Sequence, residues 1–584
     1  MAKAPTLARS SAVMFMGTLA SRMLGLVRNA MLVAALGATG SGAADAFTVA
    51  NNAPTMIYNL LAAGVLNAIL VPQIVRALRQ KAGEEFINRL ITTAGALLAV
   101  VTGVLTVAAT IVVTIYGSQL GQWHGLATAF AYWCLPQIFF YGLYALWGQV
   151  LNAKNNFGPY MWAPVLNNII SIVSLAAYLF IYGEYSGGGS PANWDFRTAV
   201  IAGTSTLGIA IQALVLYIPL VRTGFKPRLV WGLRGSGLGQ VSKVALWAVF
   251  GLIVVELSTL VVYNLGTAAL SASELPEYAH TVVPSTVIYT NAQMIFMLPQ
   301  SLVTTSIIVA LFTRMSEKAA AGDAEGVKDD LSLGLRTIAI FTTLFSAGIF
   351  VLAGPAMQVF VPTLRPEEVS ASAAVLMMLA IGIVPQGLWA TMQRVMLAYN
   401  DTKRMLWADV PVGLSQIIIC ALAYIFAPAT WWMILAALGS AVSQATGSVI
   451  IVFLLRKHLP HMDVRRVSAT YALLGLAVAP AVVAGYLVRY GLNLIHINSG
   501  FSDSLAQILI VAPIMTLVYL LTARALRVEE LNNIARPVTS VVRKVASLLP
   551  APIAKVLNKG ATALVTPPAY KSVPLKYSDV IAEG

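Results

Sequence analysis

Charge is what this 584-residue sequence has least of. Charged residues make up 10% of it, against about 25% in soluble domains. Hydrophobic residues make up 58%, and mean hydropathy is +0.78. A soluble globular chain is excluded, and a polytopic membrane protein remains. Cysteine is almost absent: Cys134 and Cys420 both lie in apolar runs, so no disulfide framework or thiolate metal site is implied. No G-x-x-x-x-G-K-[ST] occurs, which excludes a Walker-type ATP cradle in this chain; GSGLG at 235–239 lies in a basic loop and reads as a turn. The histidines are scattered, and the H-x-x-H at 458–461 reads as solvated rather than metal-binding. No pair of membrane-buried acids suggests hydrolysis. The expectation is therefore no enzyme, no metal and no cofactor. The formal charge of +14 does not mark a nucleic-acid binder, because the basic residues sit in short loops between apolar runs, which is a topology signal.

The apolar runs are abundant. With a window of about 20 residues, the sequence predicts fourteen spans near 11–37, 46–72, 89–116, 125–151, 160–183, 198–220, 240–268, 284–312, 331–358, 370–398, 405–427, 430–455, 468–490 and 503–523. One set of loops is rich in cations, among them Arg76, Arg79, Lys154, Arg228, Arg314, Lys403, Arg404 and Arg456. The other set holds only Arg197, Arg365 and Arg489. The positive-inside rule places the first set and both termini in the cytoplasm. The first run follows Lys3 and Arg9, is too long for a signal-peptide core, and reads as a retained helix.

An internal repeat accompanies the spans. Shifted by 245 residues, the fourth-to-fifth crossing matches the tenth-to-eleventh without a gap at Val150/Val395, Ala153/Ala398, Asn155/Asn400, Trp162/Trp407, Ala163/Ala408 and Val165/Val410. A weaker match at offset 238 includes Leu60/Leu298, Val65/Val303 and Arg76/Arg314. The matching elements lie six helices apart, and an even number of crossings preserves orientation. The fold class expected is all-α: two parallel six-helix repeats, between which substrate can sit, plus two C-terminal helices as an appendage. Beyond Arg524, residues 527–559 alternate apolar and basic side chains, as an interfacial helix on anionic membrane lipid does. Residues 560–584 read as disordered.

The informative residues are the ionisable ones inside apolar runs. Arg22 and Arg28 lie within the first span. Such guanidiniums stay charged and are costly in hydrocarbon, so they either face a polar chamber that takes an anion or lock the bundle. Six residues apart on a regular helix, they do not share a face; a bend at Gly25 would bring them together. Asp45 opens the second span, as a gate latch or as an N-cap. That span also carries Asn51, Asn52, Asn59, Gly64 and Asn67, which suit a cavity lining or helix–helix hydrogen bonds, with Gly64 permitting close packing. Glu256 sits mid-span in GLIVVELSTLVV, where a carboxylate is protonated, paired with an arginine, or a cation ligand. Arg336 and Arg394 lie within snorkelling reach of the interface. Asp409, near the start of the eleventh span, is a candidate partner for Arg404 or Lys403.

The run SRMLGLVRNAMLVAALG, followed by ADAFTVANNAP and NLLAAGVLNAILVP across residues 21–72, resembles the signature of the MurJ/MviN family of lipid II flippases, in the superfamily of MATE exporters and oligosaccharide-lipid flippases. APVLNN at 163–168 and RVMLAYNDTKR from Arg394 are similar to further family segments, and the likeness covers nearly the whole chain. The resemblance implies a substrate, undecaprenyl-diphosphate bearing the disaccharide-pentapeptide of peptidoglycan, and a bacterial cytoplasmic membrane. It places the family's first-helix serine and arginines on Ser21, Arg22 and Arg28, and its second-helix acid on Asp45. It implies lobes at 1–228 and 229–457, a lipid-tail groove at 458–524 and a cytoplasmic tail at 525–584.

The sequence departs from that pattern. Two positions where many members carry arginine are Tyr58 and Asn59, the following acid is Ala63, and the eighth-helix arginine of some members is Met294. The acid after the second arginine is Asn29. A four-cation cluster is thus reduced to two. Some members bind sodium among helices 7, 11 and 12. Glu256 and Gln416 are the equivalents here, with Cys420 where an acid is expected, so coupling to Na+ or H+ is a further expectation.

The mechanism these residues suggest is alternating access. The diphosphate docks at Arg22 and Arg28 among Ser21, Gly25, Asn52 and Asn59, the polyprenyl tail stays along spans 13–14, and Asp45 with Gly64 gates the exit. Two other readings compete. A cation-coupled multidrug exporter predicts acids and aromatics in the cavity. A non-transporting scaffold that recruits cell-wall synthesis partners through its tail predicts loss of function when 525–584 are deleted.

Overall fold

The computed structural model describes residues 7–37, 41–61, 83–154, 156–185, 196–232, 243–497 and 500–528, with a few isolated positions beyond. Many of the apolar runs contain a proline, among them Pro54, Pro164, Pro355, Pro411, Pro480 and Pro513, yet they wind into helices because each backbone N–H and C=O must be satisfied within its own segment in hydrocarbon. The first half comprises α1 (Leu7–Leu36), α2 (Gly42–Leu61), α3 (Gly83–Val107), α4 (Ala109–Tyr116), α5 (His124–Cys134), α6 (Gln137–Ala153), α7 (Gly158–Tyr182), α8 (Phe196–Leu214) and α9 (Tyr217–Arg222). The second comprises α10 (Lys243–Ser273), α11 (Thr286–Pro299), α12 (Thr305–Ala320), α13 (Ala324–Phe360), α14 (Pro366–Ile381), α15 (Ile383–Ala398), α16 (Thr402–Phe426) and α17 (Ala429–Leu455). Then follow α18 (Val464–Leu494) and α19 (Gly500–Ala525).

Among the described residues, 11 helices are long and apolar enough to cross a membrane, and the α14–α15 pair, bent by 40°, raises this to 12. The expected spans 46–72 and 284–312 are the two that do not qualify, each for a physical reason. Helix α2 carries Asp45, Asn51, Asn52 and Asn59 and contains Pro54, while residues 62–82 lie outside the description. Helix α11 ends at Pro299 and passes through a π-turn, Gln300–Thr304, before α12. A π-turn inside a helix accommodates an extra residue and recurs at functional sites. Helix α13 also bends: Leu352, three residues before Pro355, has φ −98° and ψ 15°, as expected where a proline ring displaces the preceding turn.

The helix neighbours follow one pattern twice. In the first half α1 packs on α7, α7 on α8, α2 on α5 and α6, and α3 on α6. In the second α10 packs on α16, α16 on α17, α11 on α14, and α13 on α14 and α15. Helices α18 and α19 pack on each other and on α13. The segment after α19 is stapled there too: Val528 and Leu531 are buried in that core, and the Glu530 carboxylate pairs with the Arg336 guanidinium of α13. Arg336 is therefore buried and paired, and it does not snorkel. Arg394 instead lies over the Phe312 ring, 5.8 Å from its centroid. The remainder of the expected interfacial helix and disordered tail, and Gly64 and Asn67, fall outside the described residues.

The turn between α15 and α16 is a compact knot. Asn400 adopts φ 54°, a left-handed conformation that Asn tolerates. Asp401 then caps α16 by accepting from Arg404 N–H at 3.3 Å, and it pairs with the Arg404 guanidinium at 2.8 Å. His458 Nε2 approaches the same carboxylate at 2.8 Å, and its ring stacks on Tyr399 with centroids 4.4 Å apart. Burial pushes the Asp401 carboxyl up, but the hydrogen bonds from His458 and Arg404 outweigh it and hold the group below its ordinary value. A carboxyl depressed on folding contributes stability above its unfolded pKa of about 3.9 and loses it as pH falls through the lower folded value. We expect Asp401→Asn to lower the apparent melting temperature at pH 7 by about 1–3 °C. The gap between variant and wild type should close below about pH 4. A gap independent of pH would rule out the ionised carboxylate as its origin. Asp409 stays outside this knot: it accepts from Gln393 at 3.4 Å and pairs with neither Arg404 nor Lys403, which stands over the Trp247 ring at 5.5 Å. Arg404 is taken by Asp401 because that acid is three residues away across the helix start.

Candidate functional site

The site lies where the two halves meet. Helix α1 runs unbroken through Gly25, so Arg22 and Arg28 remain about 120° apart around it, six residues at about 100° each. The expected bend is not there. Ser21 and Gly25 lie on the face that packs against α7: Asn168 Nδ2 donates to the Ser21 carbonyl at 2.8 Å and to Ser21 Oγ at 3.2 Å, and it lies 3.8 Å from where a Gly25 Cβ would stand. Arg22 is exposed. Arg28 is half-buried and lines a cavity of about 70 Å³ between α1, α2 and α11.

The walls of that cavity bear one guanidinium and a set of amides. Asn29, Asn51, Asn52 and Asn291 join Arg28 there, with Met294 and Leu32 as apolar neighbours. Among the described residues no carboxylate is on the wall, and neither Arg28 nor Arg22 forms an ion pair. Asn29 Nδ2 donates to Asn291 Oδ1 at 2.8 Å, both residues being buried, which ties α1 to α11 across the junction. Asn52 Nδ2 donates to the Tyr263 hydroxyl at 2.9 Å, tying α2 to α10. Seven residues further along, Asn59 Nδ2 reaches Glu256 Oε1 at 3.5 Å, and Asn59 is exposed. The two helices run antiparallel and their contact loosens along its length. Tyr58 turns the other way, onto Tyr141 of α6, with centroids 5.6 Å apart.

The tight end of the junction is held by Asp45. It is buried, and its Oδ1 accepts the backbone N–H of Val287 at 3.0 Å. Val287 lies in the first turn of α11, whose own N-cap Ser285 makes no side-chain cap. Asp45 thus caps a helix of the opposite half, where exposed N–H groups and the helix dipole favour an anion. The sequence suggests a cap at the start of α2; the structure sets this carboxylate at the start of α11 instead. Beside it α10 and α11 approach closely at Gly266: an added Cβ would lie 2.3 Å from Thr286 Oγ1 and 3.0 Å from Thr286 N. We expect Gly266→Ala to cost about 1–3 kcal/mol by overpacking, read as a lowered thermal midpoint of the purified protein; an unchanged midpoint would show that the contact is not close.

Further bonds join the halves at this same end. Glu274 accepts from Gln122 Nε2 and Trp123 Nε1, both at 2.9 Å. Asn264 Oδ1 accepts from Ser118 Oγ at 2.6 Å, and Asn264 Nδ2 donates to the Ile115 carbonyl at 2.9 Å. Gly42 leaves room for the Trp123 indole, which an added Cβ would meet at 2.0 Å. The hydrogen bonds named here between the helices of the two halves run from this end to the Asn59–Glu256 contact. Of the residues that join the halves, the sequence singles out Asp45, Asn52, Asn59 and Glu256. Asn264, Asn291, Glu274 and Tyr263 are ordinary helix residues whose partners are more than a hundred positions away.

Glu256 and Gln416 have different hydrogen-bond partners. Glu256 faces Asn59, whereas Gln416 Nε2 donates to the Ala436 carbonyl at 3.1 Å and its Oε1 accepts from Ser443 Oγ at 3.4 Å. These bonds place Gln416 in the α16–α17 contact.

This architecture is that of a multi-helix membrane transporter. The fold is similar to that of an inward-facing multidrug resistance MATE family transporter of the MOP superfamily, at TM-score 0.59 and 14% identity over 77% of this chain and 95% of that one. It is similar also to "Lipid II flippase MurJ, inward closed conformation", at TM-score 0.65 and 18% identity over 88% of this chain and 98% of that chain. The family model described as lipid II flippase MurJ matches residues 32–512, and the chain belongs to that family. A relative from Vibrio cholerae named "Probable lipid II flippase MurJ" is 24% identical over 502 residues, covering 82% of this chain and 89% of its own length.

Proposed function

We propose that this chain carries lipid II across the bacterial cytoplasmic membrane by alternating access, with the diphosphate held by Arg28. The observation that carries this reading is a permanent cation on the wall of a cavity between two halves, with no acid among the described residues of that wall to neutralise it. An anion of two phosphates supplies what is missing: charge-assisted, bidentate hydrogen bonds to the guanidinium, with the amides of Asn29, Asn51, Asn52 and Asn291 as further donors. Arg22 stands outside the cavity and serves the approach of the anion rather than its seat.

The chain is read here as fourteen spans, α2 and α11–α12 supplying the two that composition alone does not qualify. Spans 1–6 and 7–12 form parallel repeats, and spans 13–14 are appended. The doubled neighbour pattern supports this, as does the placement of Trp162 and Trp407 near the starts of α7 and α16, both exposed. With the cation-rich loops and both termini inside, the Asp45 end is the outer one. The latch then closes the exit, and the cytoplasmic side, beyond the exposed Asn59–Glu256 contact, is where the halves part. The 70 Å³ cavity is far too small for a sugar-peptide head, so admission requires that parting. Coupling to H+ or Na+ falls to Glu256 without Gln416, and cell-wall synthesis partners to the tail beyond 525.

The competing export of cationic drugs calls for acids in the cavity, and among the described residues its wall has none. Reconstituted protein separates the two: transfer of lipid II between leaflets in proteoliposomes is expected, with no transport of a cationic dye. Dye transport without lipid II transfer would reverse the assignment.

A further inference from the structure

A second cavity, larger than the one between the halves, lies elsewhere in the molecule. A groove of about 840 Å³ runs between α13, α15, α17 and the start of α18, within the range of about 300–1,000 Å³ that small-molecule sites occupy. Leu335, Val384, Leu388, Ala445 and Val452 line it, with Tyr471 at the α18 wall. Its lip is open: Val449 and Phe453 are each 58% exposed. Along α17 it extends from Leu438 to Arg456, roughly 27 Å at 1.5 Å per residue, more than the depth of one leaflet at about 15 Å.

One end of this apolar groove is charged. Arg456 lines it there, its guanidinium 4.9 Å from the Phe453 ring centroid. Its neighbours are already engaged. Lys328 pairs with Glu325, and Asp463 accepts from Ser332 Oγ at 2.8 Å. Arg456 has no ion pair among the described residues. None of the helices that line the Arg28 cavity lines this groove, nor does α19.

We propose that the groove is a binding site for an anionic membrane glycerophospholipid. Its phosphate meets Arg456 at the cytoplasmic interface and an acyl chain lies along α17. The choice rests on charge complementarity: an apolar channel open to the bilayer, ended by an unpaired guanidinium at the depth of the headgroups. A zwitterionic lipid fits the channel but carries an ammonium that Arg456 repels. The site is separate from the transport pathway and does not depend on the substrate assignment.

The test uses the purified full-length chain, titrated with phosphatidylglycerol and with phosphatidylcholine and read by native mass spectrometry. Wild type should prefer phosphatidylglycerol roughly tenfold, the equivalent of one charge-assisted contact. Arg456→Gln should remove that preference. Ala445→Trp and Val449→Trp, both at exposed positions, should fill the groove and lower retention of both lipids. A preference that survives Arg456→Gln overturns the proposal, as does unchanged retention in both tryptophan variants. Displacement of phosphatidylglycerol by lipid II, one for one, would also overturn it and give the groove to the substrate's tail.

Discussion

Arg28→Ala is expected to lower lipid II affinity about 100-fold and to bring its transfer in proteoliposomes close to background. Removing the guanidinium deletes a bidentate, charge-assisted contact; two such bonds at about 1.5 kcal/mol each amount to about 3 kcal/mol, or roughly two decades. Arg28→Lys keeps the charge but loses the planar fork, and should fall between, near tenfold. Arg22→Ala should cost less than Arg28→Ala, because Arg22 is exposed and on another face of α1. An equal loss at both positions would mean that the helix rotates or bends during transport to present them together. Thermal stability separates binding from folding here: with no carboxylate partner in the described structure to abandon, Arg28→Ala should melt as wild type does.

Asp45→Ala should release the outer latch. The lost contact is a carboxylate on a buried helix N-terminus, worth about 1–2 kcal/mol, so the population open to the outside should rise about tenfold. Both native cysteines are buried, which leaves a quiet background for an introduced thiol. In right-side-out vesicles, Asn52→Cys should be labelled by a membrane-impermeant maleimide several-fold faster when combined with Asp45→Ala than alone. Asp45→Asn keeps an acceptor for Val287 N–H and should show an intermediate rate. Identical labelling in all three backgrounds would remove Asp45 from the gate.

What the sequence made legible follows from the range of each interaction. Long apolar runs report helices, and the first helix, α7 and α16 to α19 appear near the expected limits because their backbone hydrogen bonding is local. The exceptions, α2 and α11–α12, are interrupted by polar side chains and by Pro299. The candidate site was legible in part. Arg28 and Asn52 were singled out, and the structure sets them on one cavity wall. Ser21 and Gly25, drawn from the same helix, face α7 instead, since a helix offers all its faces and sequence does not say which one meets the cavity. Pairings failed where the nearest cation in sequence was taken for the partner. Asp409 has Lys403 and Arg404 close by and meets neither, while Arg336 finds Glu530 almost two hundred residues away. Asparagine pairs such as Asn29 and Asn291 carry no sequence signal at all, yet they join the two halves.

The central claim is that a diphosphate sits against Arg28 between the halves. Its most direct test is a photo-cross-linking side chain at Asn52, on the wall facing Arg28, in membranes loaded with lipid II. The account predicts a lipid II adduct at Asn52 that disappears in Arg28→Ala and persists when the outer latch is intact. An adduct of equal yield without the Arg28 guanidinium, or none at Asn52 while exposed positions on α1 still cross-link, would contradict it.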